Sequence, residues 1–239
     1  HWHTMVRLAR LGWPNFLETF GMWAGNFVLI LMVGWMAGTA GGLLGSHIIT
    51  IRIEAFSFLP GFAMGAAAAT LAGQYLGAGS PAMARRAVKV CTVVSVVQMG
   101  IMGAVFVIWP RSIAGLITSQ AAHMETVPTL LAITGAIQIP FAVSIVLRSA
   151  LRGVGDVKAA MWMTWVTTYG VRLPLAYALC GVAIPIPEML GGGVLPNPFP
   201  AWFENGLVGL WVGMCIEVVV RAAIFAWRFT SGAWARARV

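Results

Sequence analysis

The apolar positions of this chain fall into six blocks, roughly 13–37, 43–73, 87–109, 124–150, 159–181 and 206–229. Short segments rich in Gly, Pro, Ser and basic residues separate them. Each block is near the ~20 residues that a helix needs to cross a bilayer. The pattern predicts an all-α polytopic membrane unit of six transmembrane helices, a single lobe over residues 1–239. The second and fourth blocks are long and contain Pro60 and Pro140, where kinks or tilts are expected. The pairs Gly21/Gly25, Gly61/Gly65, Gly73/Gly77 and Gly209/Gly213 put two small residues on one helix face and predict close helix–helix approach.

Composition removes the alternatives to a membrane protein. Hydrophobic residues make up 59% of the 239 positions and charged residues 9%, against about 25% charged in soluble domains. Mean hydropathy is +0.86. A soluble enzyme, a disordered chain and a nucleic-acid-binding domain are all excluded by so little polar surface. The net charge of +8 is a matter of topology. Eleven Lys and Arg residues gather on one side: Arg7 and Arg10, Arg85, Arg86 and Lys89, Arg148, Arg152 and Lys158, then Arg228, Arg236 and Arg238. Only Arg111 falls on the other side, and Arg52, Arg172 and Arg221 lie within spans. The positive-inside rule then expects a multi-pass protein of the inner or plasma membrane with both termini cytoplasmic, and the Gly- and Pro-rich stretch from Pro185 to Asn205 outside. Cys91, Cys180 and Cys215 lie in apolar blocks and read as packing residues. The first ten residues carry no cleavable signal. The chain opens on His1, and we expect it to be a piece that starts mid-frame.

Two loops on the basic side are alike. Gln74-Tyr-Leu-Gly-Ala-Gly-Ser-Pro and Leu151-Arg-Gly-Val-Gly-Asp-Val-Lys158 each end a long helix with Gly-x-Gly, followed by Ser80 or Asp156 as an expected helix cap and then basic residues. A phosphate loop would need a preceding strand and a Lys-Ser/Thr pair, and neither is present. The stretches GFAMGAAAATLAGQYLGAGSPAMARRA and LRSALRGVGDVKAA resemble the corresponding helix and loops of multidrug and toxic compound extrusion (MATE) transporters. TTYGVRLPLAYAL, GLVGLWVG and the Arg/Trp-rich tail are similar to that family too, so the resemblance runs from Arg10 onward. It implies one six-helix lobe, the C-terminal one, of a transporter about twice this length. It also implies export of organic, often cationic, compounds driven by inward flow of sodium or protons. The implied partners are the lipid bilayer, a small organic substrate and a second six-helix lobe, from the same longer chain or a dimer partner. Neither an enzymatic activity, a cofactor, a metal site nor a nucleic-acid partner is expected.

Intramembrane polar residues carry the candidate chemistry, because a charge in a span is costly and faces a cavity or a partner. Glu18, one turn after Pro14 with Asn15 on the same face, is the expected proton or sodium site. Some MATE proteins have a functional carboxylate in this helix, usually further from the proline. Arg52 and Glu54, at i and i+2, do not face each other and need other partners; they are the expected electrostatic neighbours of Glu18, with a packing ion pair as the alternative. Gln138 stands beside Pro140 where some MATE proteins carry an acid shortly after the proline; here the chain reads Pro140-Phe141-Ala142. Gln138 is either a cavity-lining hydrogen-bonding group or a packing residue. Glu217 and Arg221 have the i,i+4 spacing of a local ion pair. His47 is an interfacial histidine or a proton relay. A flippase of lipid-linked precursors, which would need more cationic groups lining the cavity, and a non-transporting scaffold are the rival functions.

Overall fold

The computed structural model describes residues 2–37, 42–186, 192–200, 202–203 and 205–236, with the side chains of 2–4, 7, 8, 11 and 236 excepted. The first histidine and the arginine at 238 lie outside it, as do the side chains at 3, 7 and 236. Long apolar runs become helix almost throughout: α1 (Trp2–Ala37), α2 (Leu43–Gly77), α3 (Pro81–Ile108), the short α4 (Pro110–Gly115), α5 (Ala121–Ala136), α6 (Gln138–Gly153), α7 (Val157–Thr167), α8 (Leu173–Cys180) and α9 (Gly206–Thr230). A five-residue π-helical turn, Thr168–Arg172, joins α7 to α8. In the loop before α9, strands β1 (Ile184–Pro185) and β2 (Val194–Leu195) pair antiparallel, Ile184 opposite Leu195.

Four segments are each long and apolar enough to cross a membrane: Gly12–Met36, Leu43–Gly77, Pro81–Ile108 and Gly206–Thr230. A fifth crossing is available if α5 and α6, bent by 58° where they meet, count as one span. The bend falls at Ile137, three residues before Pro140, as expected where a proline ring presses on the carbonyl of the preceding turn. Pro60 does not have this effect, since α2 continues through it unbroken. There the helix is held before the proline by the Ser57–Gln138 hydrogen bond to α6 and after it by Gly61 against Met99 of α3 and Gly65 against Ser149 of α6, and packing overrides the loss of one backbone hydrogen bond. The block expected at 159–181 is helical over the composite α7–π–α8, and none of its three pieces reaches spanning length alone.

The glycine pairs form the seams between helices. A Cβ at Gly21 would enter the Trp165 ring, and one at Gly25 would lie 2.5 Å from Thr168 Cγ2, so α1 lies directly on α7 and the π turn. A Cβ at Gly209 would strike the Leu179 carbonyl oxygen, and one at Gly213 would lie 2.7 Å from the Ala176 nitrogen, which brings the α9 and α8 backbones together. Of the pair Gly73/Gly77, only Gly73 is in contact, against the Gly153 carbonyl.

The two similar loops fold alike. Ser80 N donates to Tyr75 O (2.9 Å) and Gly79 N to Leu76 O (3.0 Å); Asp156 N donates to Leu151 O (2.9 Å) and Gly155 N to Arg152 O (3.1 Å). These are two Schellman motifs, with Gly79 at φ +74° and Gly155 at φ +85°, a region glycine enters without steric cost. Ser80 and Asp156 occupy the cap positions, but neither side chain caps its helix. Asp156 turns instead to Arg228 of α9, accepting from Nε at 2.9 Å and Nη2 at 3.1 Å.

Of the four apolar clusters among the described residues, two are large. One, at the end bearing these loops, includes Ala68, Val88, Val146, Leu151, Phe225 and Trp234. The other includes Leu29, Val33, Leu130, Ala176, Leu207 and Trp211. On α9, Glu217 and Arg221 lie between the residues that belong to each. The three cysteines are buried and free.

Candidate functional site

Pro14 and the helix-forming run after it carry Glu18 into the bundle, where it is 1% exposed. Glu18 Oε1 accepts a hydrogen bond from Thr164 Oγ1 of α7 at 3.0 Å. Arg148 Nη1 of α6 approaches the same oxygen at 3.9 Å, and Arg152 Nη1 approaches Oε2 at 3.6 Å. Neither Glu18 Oε2 nor Asn15 Oδ1 has a hydrogen-bond partner among the described residues, although both atoms are buried. The helix that bears them is clamped to its neighbour: Trp165 Nε1 donates to Leu17 O (3.1 Å) and Tyr169 Oη to Gly21 O (2.7 Å). These bonds fix the height of α1 relative to Thr164.

A second charged group lies on the neighbouring helices. Glu217, fully buried, accepts from Arg221 Nε at 2.6 Å, and Arg172 Nε stands 3.3 Å from its other oxygen. Arg221 also donates from Nε to Thr167 Oγ1 (3.2 Å) and from Nη2 to Thr168 Oγ1 (2.9 Å), and Arg172 Nη1 donates to Asn26 Oδ1 of α1 (2.7 Å). The π turn produces this convergence. Its wider winding, just ahead of Pro174, turns Thr167, Thr168 and Arg172 towards α9 together.

The third group joins α2 to the break between α5 and α6. Gln138, fully buried, donates from Nε2 to Glu54 Oε1 (3.4 Å) and accepts from Ser57 Oγ (2.7 Å). Gln98 Nε2 of α3 donates to the Ser57 carbonyl at 3.4 Å. Among the described residues no three His, Cys, Asp or Glu side chains come together. The buried side-chain oxygens without a hydrogen-bond partner among the described residues belong to Asn15, Glu18, Gln98 and Glu217, and of these Asn15 and Glu18 lie one turn apart on α1.

The predicted residues therefore separate into two places. Glu54 and Gln138 meet, and Glu18 keeps Asn15 beside it. Arg52 and Glu54 are not the partners of Glu18: Arg52 is exposed on α2 and makes no ion pair among the described residues, and Glu54 is engaged by Gln138. The partners of Glu18 are instead Arg148 and Arg152, which the loop count had placed outside the spans. Their i,i+4 spacing was the available signal, since it places both guanidinium groups on one face of α6. The Glu217–Arg221 pair forms as its spacing predicts. Thr164, Thr167, Thr168 and Asn26 carry no signal in the sequence, because hydroxyls and amides at such spacings are common in packed spans. His47 accepts from Trp211 Nε1 at 3.1 Å and ties α2 to α9.

A family model described as MatE matches residues 14–178. The probable multidrug resistance protein NorM of Thermotoga maritima is 25% identical over 100% of this chain and 46% of that protein. The multidrug resistance protein NorM of Burkholderia vietnamiensis is 29% identical over 94% of this chain and 45% of its own length. The chain thus spans a little under half the length of these relatives. A crystal structure of the Vibrio cholerae MATE transporter VcmN superimposes with a TM-score of 0.79 at 14% identity, over 96% of this chain and 47% of that one. A MOP superfamily transporter from Pyrococcus furiosus gives 0.70 at 16% identity, over 92% and 43%. At these identities the structures establish a shared fold.

Proposed function

Because this chain belongs to the MatE family, we propose that it forms one six-helix lobe of a multidrug efflux transporter in which Glu18 couples export to an inward flow of protons or sodium ions. The observation that carries the coupling role is the buried pair of unsatisfied acceptors, Glu18 Oε2 and Asn15 Oδ1, one turn apart on α1. A buried carboxylate with one oxygen fixed by Thr164 and the other without a hydrogen-bond donor can accept a proton or contribute to a sodium shell. The relatives named for multidrug resistance support drug-like organic compounds as the cargo, and we infer that these are often cationic. Their length supports a second lobe, and alternating access comes from one lobe rocking against the other. The charge bias supports an inner-membrane orientation with both ends of the lobe cytoplasmic. Arg172 and Arg221 are committed to Glu217, which leaves few free cations for the phosphate of a flipped lipid precursor.

The test is export of a fluorescent organic cation by the intact transporter containing this lobe, reconstituted into liposomes under an imposed proton or sodium gradient. Glu18→Gln is expected to abolish gradient-driven export while leaving downhill exchange of the dye. Full gradient-driven export by Glu18→Gln would remove Glu18 from the coupling role.

A further inference from the structure

Arg148 is buried, at 7% exposed, and its guanidinium offers five N–H donors. Its hydrogen bond runs from Nη1 to Met22 Sδ at 3.3 Å, and a thioether is a weak acceptor. Nε has no partner among the described residues. Its approach to Glu18, at 3.9 Å, is too long for a hydrogen bond. Two other acids are each gripped directly by one guanidinium, while Arg172 Nε stays 3.3 Å from Glu217 Oε2 without a hydrogen bond. Arg221 reaches Glu217 at 2.6 Å, and Arg228 grips Asp156 with two bonds. A guanidinium that served only to neutralise Glu18 would close on it in the same way. Arg148 is held back towards Met22, while Thr164 takes one carboxylate oxygen and leaves the other open.

We propose that Arg148 is a tethered rival of the coupling cation: it balances Glu18 when no cation is bound and withdraws when a proton or sodium ion takes the carboxylate. The inference rests on Glu18 being the coupling group. With Glu18 ionised, the site of Glu18, Arg148 and Arg152 carries one net positive charge. A bound proton or sodium ion raises that to two, in a layer of low dielectric. Arg152 is the weaker rival because its side chain is 32% exposed and screened by solvent. The other charges that act on Arg148 are Glu217 and Arg172, and Arg221 acts on it in turn. Arg221 is hydrogen-bonded to Glu217 and Arg172 to Asn26, so they contribute the same field whether or not a cation is bound. The surplus charge limits how tightly the cation is held, so the cation is released when the site faces the side of low concentration. Arg148 is thus a positioning residue for the cycle, acting on the cation through Glu18.

The intact transporter in proteoliposomes decides the matter through the cation concentration that gives half-maximal export, measured separately with proton and with sodium gradients. Arg148→Gln removes the rival charge and should lower that concentration at least tenfold, which for protons is an upward displacement of about one pH unit, and should slow maximal turnover as release becomes limiting. Arg148→Lys keeps the charge and should stay within about threefold of the parent, an outcome that a purely structural role for the guanidinium fork does not produce. Met22→Leu conserves volume and removes the sulfur that holds Arg148 back; it should raise the half-maximal concentration severalfold, and it decides the question if Arg148→Gln does not accumulate. An unchanged half-maximal concentration in Arg148→Gln, or in Met22→Leu where that variant decides, overturns the rivalry. If Glu18→Gln abolishes coupling in the same preparation, only the rivalry has failed; if Glu18→Gln still couples, the coupling role has failed first.

Discussion

Glu217 has no exposure to solvent and stands between two guanidinium groups, at 2.6 Å from Arg221 and 3.3 Å from Arg172. Removing one member of a buried ion pair costs about 3–5 kcal/mol because the remaining charge is left in low dielectric. Glu217→Leu is therefore expected to destabilise the protein by about that amount, read as a fall in the thermal midpoint of the detergent-purified protein. Replacing Arg221 as well, in Glu217→Leu/Arg221→Leu, should recover part of the loss, since one of the two stranded cations is gone. The i,i+4 spacing of this pair made it legible in the sequence. The share held by Arg172 was not legible, because it depends on a π turn on another helix that no periodicity announces. The same holds at Glu18. The sequence shows an acid in a span, but which arginines face it depends on how far α6 is buried at its basic end, and there Arg148, counted with the basic loop residues, is buried in the bundle.

Between helices, the glycine pairs have unequal consequences. At Gly213 a Cβ would meet backbone atoms, 2.7 Å from the Ala176 nitrogen and 2.9 Å from the Leu175 carbonyl carbon. No side-chain rotation can relieve such a contact, so Gly213→Ala must push α9 away from α8. Overpacking of this kind costs about 1–3 kcal/mol. Because Glu217 lies one turn further along α9, the displacement should also loosen its contact with Arg172. At Gly77 nothing lies within 4 Å, and Gly77→Ala should leave the thermal midpoint unchanged. Comparing the two variants in one melting series checks the seam directly, and equal midpoints would contradict it. The four-residue spacing alone did not distinguish Gly213 from Gly77, because it identifies a face without identifying the helix opposite. Proline was informative in the same partial way. Pro140 marks a real break, displaced to Ile137, while Pro60 marks none because α3 and α6 hold α2 on either side of it.

Across the whole molecule, the alternation of basic and neutral loops is the strongest long-range signal in the sequence, and it survives the burial of Arg148. Its consequence rests on the least regular element. The composite helix from Val157 to Cys180 must cross the membrane if Lys158 and Pro198 are to lie on opposite sides, yet neither α7 nor α8 reaches spanning length alone. The π turn keeps the two pieces in one continuous helix, and on that ground a sixth crossing is expected. All three native cysteines are buried, so single exposed cysteines can be added to the parent chain and read with a membrane-impermeant maleimide. Lys158→Cys and Ser231→Cys, both exposed at the end bearing the Gly loops, should react only after the cytoplasmic face is opened. Ser119→Cys and Pro198→Cys, exposed at the other end, should react in intact cells. If Lys158→Cys and Pro198→Cys react from the same side, the composite helix re-enters instead of crossing and the lobe has five spans. The Arg172–Glu217 contact would then form between a re-entrant loop and α9.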